Sequence, residues 1–307
     1  MALHIHTPLL QSRPLSLLTG KTVWLKMEAL QPVGSFKIRG IGAVCETYAR
    51  QGKTRFVSSS GGNAGIAAAY AGRQLNIPVT VVVPETTTAR AKALIEQEGA
   101  EVIVHGASWM EANALAQSLL DDSSAFIHPF DNAEMWAGHG SLIDEAVEAD
   151  IGFDSVIVAV GGGGLLSGVI AGLQRNGLGQ LPVLAVETNG ADSLAQSVAA
   201  GKRIELPAIT SIATSLGAKA VCENAFAVTQ QHPVRCATVS DAQALAACEQ
   251  FLHDHRVLVE PACAAALATL YSGDAALLSE FQRPLVVVCG GATATLEQIQ
   301  AWRKQLG

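Results

Sequence analysis

The chain has 307 residues, of which 49% are hydrophobic and only 15% are charged, whereas a charged share of about 25% is typical of globular proteins. This composition excludes a disordered protein, and the glycines and prolines show no collagen-like period. The net charge is −7 and no basic block is present, which argues against a nucleic-acid or anionic-membrane partner. A chain of this length is expected to bury a large core.

The cysteines and the N-terminal segment predict a cytoplasmic protein without a membrane partner. The six cysteines include no C-x-x-C pair and lie mostly among apolar or helical residues, which is typical of free thiols in a reducing compartment. Residues 1–20 lack the apolar core and the cleavage site of a signal peptide. Residues 155–174 are uncharged, but they include four consecutive glycines, each costing about 1 kcal/mol in a helix, which disfavours a membrane span.

Short β-branched runs alternate along the chain with longer Ala-rich segments of helical period, a pattern typical of an α/β fold with a largely parallel sheet. Most predicted strands are continuous Val/Ile/Leu runs, as expected where helices cover both faces. The predicted strands are Val23–Met27, Phe56–Ser58, Val79–Val83, Val102–Val104, Val156–Val160, Val183–Glu187 and Leu285–Val288. The predicted helices are Gly40–Gln51, Asn63–Leu75, Thr87–Gln97, Trp109–Leu120, Glu134–Glu148, Leu165–Asn176, Asp192–Ala200, Asp241–His253, Pro261–Leu270 and Ala294–Lys304.

Three predicted strands lead directly into glycine-rich turns, at residues 58–65, 161–165 and 289–293. A helix that begins in such a turn offers unpaired backbone N–H groups and the positive end of its dipole to an anion. A single turn of this kind is equally compatible with a ligand-free connection. Three of them favour a ligand site, because ligands of open α/β sheets bind outside the carboxyl ends of the strands.

The four glycines at residues 161–164 indicate a phosphate site, but not one for a common nucleotide. Residues 161–168 do not satisfy the dinucleotide pattern G-x-G-x-x-G in any register. Gly20-Lys21-Thr22 resembles the end of a P-loop, yet Leu15 stands where its first glycine is required. The phosphate is therefore expected to belong to a ligand other than a dinucleotide or ATP.

Lys37 is the candidate nucleophile, because it lies between apolar residues shortly before a predicted helix. Desolvation would lower the pKa of its amine and make it more nucleophilic toward a carbonyl carbon. Taken alone, a lysine two residues before Arg39 is more often a solvated turn residue.

Taken together, GSFKIRG at residues 34–40, SSGGNAG at 59–65 and VGGGGLLSG at 160–168 resemble the fold-type II pyridoxal-phosphate enzymes, whose fold is like that of the tryptophan synthase β subunit. Within that superfamily the chain is similar to the catabolic L-serine/L-threonine dehydratases of the liver serine-dehydratase type. The resemblance implies two open parallel-sheet α/β domains. Residues 1–34 and 136–307 would form the large cofactor-binding domain and residues 35–135 a small domain inserted into it, with no C-terminal regulatory domain.

The resemblance also implies roles for individual residues. Lys37 would carry pyridoxal 5'-phosphate as an internal aldimine, and Phe36 would pack near the pyridine ring. Asn63 would hydrogen-bond the phenolic oxygen of the ring, and Cys289 would face the pyridine nitrogen. The cofactor phosphate would be held by Gly161, Gly162, Gly163, Gly164 and Leu165. The substrate carboxylate would be received by Ser60, Gly61, Gly62 and Asn63.

A monovalent cation, usually potassium, and a homodimer are further features that the resemblance implies. The cation would be held by Glu187, Ala191, Ser193, Leu216 and Ala218, where a carboxylate, a hydroxyl and backbone carbonyls suit a hard cation. An alternative for Glu187 is a structural acid at a strand end, hydrogen-bonded to a helix N-terminus.

The function implied by the resemblance is the deamination of a small amino acid. L-serine would give pyruvate and L-threonine 2-oxobutyrate, by elimination of water and then release of ammonia. The alternatives are another reaction on the same scaffold, such as serine racemisation, cysteine synthesis or threonine synthesis, and a non-catalytic protein that binds a phosphorylated ligand or an amino acid.

Overall fold

A computed structural model describes residues 2–274 and 276–306, and within them it has ten strands in two sheets. The strands are β1 (Leu9–Gln11), β2 (Trp24–Lys26), β3 (Arg55–Ser58), β4 (Val79–Val83), β5 (Glu101–Val104), β6 (Ser124–Ile127), β7 (Ser155–Ala159), β8 (Val183–Thr188), β9 (Val234–Val239) and β10 (Pro284–Val287). The helices are α1 (Arg13–Thr19), α2 (Lys37–Arg50), α3 (Asn63–Leu75), α4 (Ala89–Gln97), α5 (Trp109–Ser118), α6 (Ala133–His139), α7 (Ser141–Glu148), α8 (Gly164–Arg175), α9 (Ser193–Ala200), α10 (Glu223–Val228), α11 (Asp241–His255), α12 (Pro261–Tyr271) and α13 (Leu296–Leu306).

The larger sheet has six strands in the order β1-β2-β10-β7-β8-β9, and the smaller has four in the order β5-β4-β3-β6. Every strand pair is parallel except β1 with β2, which is an antiparallel pair at the edge of the larger sheet. Strands β4 and β7 are buried along their whole length, because helices cover both faces of each sheet. The predicted α/β architecture of two open, largely parallel sheets is confirmed.

The division into a large domain and an inserted small domain stays a prediction, and the two sheets draw on different parts of the chain. All four strands of the smaller sheet lie between residues 55 and 127, after β2 and before β7 of the larger sheet. The boundaries at residues 34/35 and 135/136 themselves stay a prediction. None of the described helices is long and apolar enough to cross a bilayer.

Individual elements differ from the prediction where the local pattern is weak or misleading. β4 and α3 have their predicted bounds, whereas β1, β6 and β9 and helices α1 and α10 were not predicted. β1 and β6 are only three and four residues long, and β9 contains Arg235 and Thr238 within its apolar run. The single helix predicted over residues 134–148 is wrong. It divides into α6 and α7 at Gly140, where a side chain would collide with the carbonyl oxygen of Gly168.

The three glycine-rich turns all follow the carboxyl end of a parallel strand. β10 and β7 are neighbours in the larger sheet, so the turn after β10 and the turn after β7 leave the sheet side by side. The third turn follows β3 in the middle of the smaller sheet. The backbone N–H of Ala292 in the turn after β10 donates to the Asn63 side chain in the turn after β3 at 2.9 Å, so the three turns lie together, at the end of the strands where ligands of open α/β sheets bind.

Candidate active site

The segment before Lys37 is held against the turn that follows β10. The backbone N–H of Phe36 donates to the carbonyl oxygen of Cys289 at 3.1 Å, and that of Gly291 donates to Gly34 at 2.8 Å. Gly291 adopts a φ of +131°, which favours glycine, and a side chain there would overlap the Glu260 carboxylate. Two segments from opposite ends of the chain thus bring the predicted lysine and the predicted cysteine together.

Lys37 is half-buried, and its amine has one acceptor among the described residues. Its Nζ donates to the carbonyl oxygen of Pro129 at 2.6 Å and lies 5.2 Å from the centre of the Phe36 ring. The ring of His139 lies beside that of Phe36, with the ring centres 4.8 Å apart. Removal from water lowers the pKa of Lys37 to about 8, so a substantial fraction of the amine is neutral near physiological pH.

Arg39 anchors the first turn of α2, which carries Lys37. Its guanidinium forms two-point hydrogen bonds with Glu28, at 2.6 and 2.9 Å, and with Glu145, at 2.7 and 2.8 Å. Lys26 also donates to Glu145, and all four side chains are buried. The alternative of Lys37 as a solvated turn residue does not fit the structure, because Lys37 is half-buried at the first residue of α2. Arg39, two residues later, is fully buried in an ion-pair network that holds this turn in place.

The glycine turn at residues 161–164 presents a row of unbonded amides. The backbone N–H groups of residues 161–165 have no acceptor anywhere in the described chain. They precede and open α8, whose dipole adds partial positive charge at the same point. Unsatisfied donors at a helix N-terminus are suited to an anion such as a phosphate group.

The glycines of this turn are required by close packing as well as by backbone conformation. A Cβ atom on Gly162 would lie 2.3 Å from the Phe130 ring, and one on Gly164 would lie 2.6 Å from the Phe130 carbonyl oxygen. Gly163 has a φ of +89°, in the region that favours glycine. Phe130 follows Pro129, whose carbonyl accepts from Lys37. The amine and the row of amides therefore lie against the same two-residue segment.

The turn after β3 carries the residues predicted to bind the substrate carboxylate. The amides of Ser60, Gly61 and Asn63 have no acceptor among the described residues, and that of Gly62 reaches only the Ser60 hydroxyl, at 3.4 Å. These groups stand at the start of α3, so they too are suited to an anion. The Asn63 side chain accepts from the backbone N–H of Ala292 at 2.9 Å and donates to Glu260 at 3.1 and 3.3 Å.

The Cys289 thiol is buried beside a second thiol, that of Cys263. Hydrogen bonding to Cys263, together with burial, raises the pKa of Cys289 well above that of a free thiol. The group facing this end of the cleft is thus a neutral thiol.

Three of the predicted cation ligands, Glu187, Ala191 and Ser193, lie at the start of α9, whereas Leu216 and Ala218 lie in a later segment, at and just after the turn Thr214–Leu216. Glu187 is buried, and its two carboxylate oxygens accept from the backbone N–H groups of Leu194, at 2.9 Å, and Ala195, at 2.7 Å. These two hydrogen bonds are those expected of the alternative, in which Glu187 is a structural acid at a strand end that binds a helix N-terminus. Burial nevertheless raises the pKa of Glu187 to about 7, and the buried hydroxyl of Ser193 has no partner within the described chain.

Glu260, Pro129 and Phe130 were not predicted as site residues. Pro129 and Phe130 follow the short strand β6, which was itself missed, and Pro129 acts through its carbonyl, which no side-chain pattern reveals. The sequence analysis gave Glu260 no role. The sequence does contain a hint of a role for Glu260, because a glutamate directly before the proline that opens α12 is an unusual N-cap residue.

Comparison with known proteins identifies the family to which these features belong. The family model described as "Pyridoxal-phosphate dependent enzyme" matches residues 2–290. The chain belongs to this family. The human L-serine dehydratase/L-threonine deaminase is 46% identical over 99% of this chain and 96% of its own length, so the predicted similarity to these dehydratases is confirmed.

Solved structures of the same fold agree with this assignment. A fungal L-serine ammonia-lyase from Rhizomucor miehei superposes with a TM-score of 0.94 at 36% identity, covering 99% of both chains. Maize serine racemase superposes with a TM-score of 0.88 at 28% identity, covering 99% of this chain and 93% of its own. The fold-type II class is thereby confirmed.

Proposed function

We propose that this enzyme is a pyridoxal-phosphate-dependent L-serine/L-threonine dehydratase. One observation carries the proposal: the lysine of lowered pKa and the row of unbonded amides meet at Pro129 and Phe130. An amine for a carbonyl and a cradle for a phosphate are the two attachment points that this cofactor needs. The 46% identity to the human L-serine dehydratase/L-threonine deaminase supports the choice of reaction.

Pyridoxal phosphate, when bound, supplies an electron sink for negative charge at the α-carbon of an amino acid. The residues present fit it. The amides of residues 161–165 would hold the phosphate, Lys37 would hold the carbonyl carbon, and Phe36 would pack near the ring. Cys289 would face the ring nitrogen and Asn63 the phenolic oxygen.

Different groups of the chain would carry out different steps of the elimination. The amides of residues 60–63 bind the substrate carboxylate and orient the amino acid. The Lys37 amine, once the amino group of the substrate has taken its place, would be neutral in part because its pKa is about 8, and it would accept the α-proton. Loss of that proton and of the β-hydroxyl amounts to loss of one water molecule. The enamine product then takes up water and releases ammonia, leaving a 2-oxo acid.

A neutral Cys289 thiol favours elimination over competing reactions. A carboxylate would keep the ring nitrogen protonated through a charge-assisted hydrogen bond, whereas a thiol makes only a weak one. Less negative charge then spreads into the ring, and return of a proton to the α-carbon is less favoured. Buried beside Cys263, the thiol stays neutral across the physiological range.

We also propose a potassium ion bound by Glu187, Ala191, Ser193, Leu216 and Ala218. Glu187 is a buried carboxylate that forms no ion pair with the described residues. A cation would supply the missing opposite charge, and the Ser193 hydroxyl would gain a partner. Among the described residues, no three His, Cys, Asp or Glu side chains group as ligands of another metal.

A cytoplasmic location and a homodimer complete the proposal. All six cysteines are free thiols, five of them buried, which fits a reducing compartment. Leu10, Leu17 and Leu18 of β1 and α1 expose 43%, 65% and 55% of their surface, and a second copy of the chain would cover them. Sedimentation of the wild type and of Leu18→Glu tests the dimer, since loss of dimer in the variant alone supports this face.

Product analysis with L-serine and L-threonine tests the proposed reaction. The purified enzyme, loaded with cofactor, should release pyruvate and 2-oxobutyrate together with one equivalent of ammonia. Chiral analysis of residual serine distinguishes a racemase, and addition of sulfide with an activated serine distinguishes a cysteine synthase. Accumulation of D-serine without pyruvate would contradict the proposal, and failure to develop a visible absorption band with cofactor would reject the cofactor itself.

A further inference from the structure

Glu260 is a buried carboxylate that contacts two of the turns that form the site, those at residues 58–65 and 289–293, and the segment that carries Ser215. It is only 4% exposed, and the described chain provides no Lys, Arg or His as its ion-pair partner. Burying an unpaired carboxylate is costly unless several hydrogen bonds satisfy its oxygens. Packing alone therefore does not explain why a carboxylate is buried at this position.

Four donors from three separate segments satisfy the carboxylate. The Ser215 hydroxyl donates to Oε2 at 2.6 Å, and the Thr293 hydroxyl and backbone N–H donate to Oε1 at 2.6 and 3.2 Å. The fourth donor is the amide Nδ2 of Asn63, at 3.1 and 3.3 Å from the two oxygens. Gly291 leaves room for this group, since its Cβ would lie 2.2 Å from the Glu260 Cδ.

These contacts determine which way the Asn63 amide faces. Its Oδ1 accepts from the backbone N–H of Ala292 at 2.9 Å, so Oδ1 must be the atom on that side. Its Nδ2 faces a carboxylate, which can only accept. Nδ2 contacts both oxygens of Glu260 and has no other acceptor among the described residues. Because one N–H can be shared between the two oxygens of a carboxylate, we assign the second N–H to the open side of Asn63. Asn63 therefore presents a hydrogen-bond donor to the cleft.

We propose that Glu260 is a positioning residue that holds Asn63 as a donor toward the phenolic oxygen of the cofactor ring. The inference rests on the proposed function. A donor at that oxygen stabilises its anionic form, and the charge of Glu260 prevents the amide from turning its own oxygen toward the ring. Ser215 and Thr293 in turn hold the carboxylate in place.

The test uses the loaded enzyme and the substitution Glu260→Gln, which preserves the size of the side chain but replaces one acceptor oxygen with a donor. The readout is the visible absorption band of the bound cofactor, titrated from pH 5 to pH 10, together with kcat/KM for L-serine. We expect the midpoint of the spectral titration to move and kcat/KM to fall about tenfold, the usual effect of losing one hydrogen bond to a charged group. Glu249→Gln, which breaks an exposed ion pair with Arg303 in the same domain, is the matched control and should change neither.

A double-mutant cycle with Asn63→Ala separates positioning from a merely structural role. If Glu260 acts through Asn63, adding Glu260→Gln to Asn63→Ala leaves the spectral midpoint where Asn63→Ala alone has moved it. Equal shifts in both backgrounds, or no shift in either, would overturn the proposal. Ser215→Ala and Thr293→Val each remove one donor to Glu260, so the same titration remains possible if Glu260→Gln does not fold. A wild-type enzyme that forms no visible band at all would instead reject the proposed function.

Discussion

The backbone N–H of Phe36 donates a hydrogen bond of 3.1 Å to the carbonyl oxygen of Cys289, joining residues from opposite ends of the chain. Because Lys37 follows Phe36, this bond places the amine and the thiol at one end of the cleft. The side chains that the proposed reaction needs are thus positioned by backbone contacts, which substitutions of those side chains leave in place. Functional variants at Lys37 and Cys289 are therefore expected to fold.

Replacing Lys37 with alanine should abolish turnover of L-serine and remove the visible absorption of the bound cofactor. The cradle at residues 161–164 should still hold some cofactor without a covalent bond. Absorbance spectra and a pyruvate assay check both expectations. Lys202→Ala, at an exposed position, is the control and should match the wild type. Activity retained by purified Lys37→Ala would show that another residue carries the cofactor.

Loading of the cofactor-free enzyme should depend on pH with a midpoint near 8. Burial lowers the pKa of Lys37 from its ordinary value of 10.5 to about 8, and only the neutral amine attacks a carbonyl. The rate of appearance of the visible band should therefore rise between pH 7 and pH 9 and then level off. An N-acetyl-lysine reaction run in parallel corrects for titration of the cofactor. A midpoint close to 10.5 would mean that the cleft does not depress this pKa.

Replacing Gly162 with alanine should weaken cofactor binding by about tenfold or more and destabilise the fold by about 1–3 kcal/mol, the usual cost of overpacking. The added Cβ would lie 2.3 Å from the Phe130 ring, so the turn and the Phe130 segment must separate. Equilibrium titration with cofactor and thermal unfolding measure the two effects. Gly179→Ala is the control, because among the described residues only Gln174, at 3.8 Å, would come within 4 Å of the added Cβ. Unchanged affinity in Gly162→Ala would argue against a phosphate cradle at this turn.

Cys289→Ser should keep most of the activity, because a hydroxyl makes the same weak, neutral hydrogen bond as the thiol. Cys289→Asp should slow pyruvate release and bring out side reactions such as transamination or racemisation, since a carboxylate would hold the ring nitrogen protonated. Pyruvate and D-serine are measured together for all three proteins. If Cys289 only fills the turn, both substitutions act through packing, and the ratio of the two products stays that of the wild type.

Potassium should stabilise the enzyme more at pH 8 than at pH 5. The folded-state pKa of Glu187 is raised from 4.5 to about 7. Without a cation the folded protein therefore keeps a proton that the unfolded chain has released, and stability falls as pH rises from 4.5 to 7. Potassium favours the ionised carboxylate and offsets this loss, fully only above pH 7.

Thermal unfolding in potassium and in tetramethylammonium chloride, at both pH values, measures this effect. In Glu187→Gln the Tm should be the same in the two salts. In Glu280→Gln, which changes an exposed acid, the Tm should still be higher in potassium chloride. An equal increase of Tm at pH 5 and pH 8, or one that persists in Glu187→Gln, would place the cation elsewhere.

The local pattern of the sequence by itself determined most of the architecture and the candidate nucleophile. The buried Val-rich run of β4 and the Ala-rich helix α3 have their predicted bounds, because burial on both faces and helical period are written in neighbouring residues. The glycine turn at residues 161–164 could also be predicted, because its four glycines are consecutive in the sequence. Short or polar strands such as β6 and β9 could not be predicted, because their stability comes from pairing with neighbouring strands and not from their own residues.

Only the tertiary structure decided which of these groups meet. Arg39 is buried because Glu28 and Glu145, which lie 11 and 106 residues from it in the chain, neutralise it; nothing in residues 34–40 indicates this. The donor orientation of Asn63 depends on Glu260, which lies in another segment and carried no predicted role. Hydrogen bonds and ion pairs between separate segments depend on how the sheets and helices pack, and the local periodicity of the sequence does not predict them.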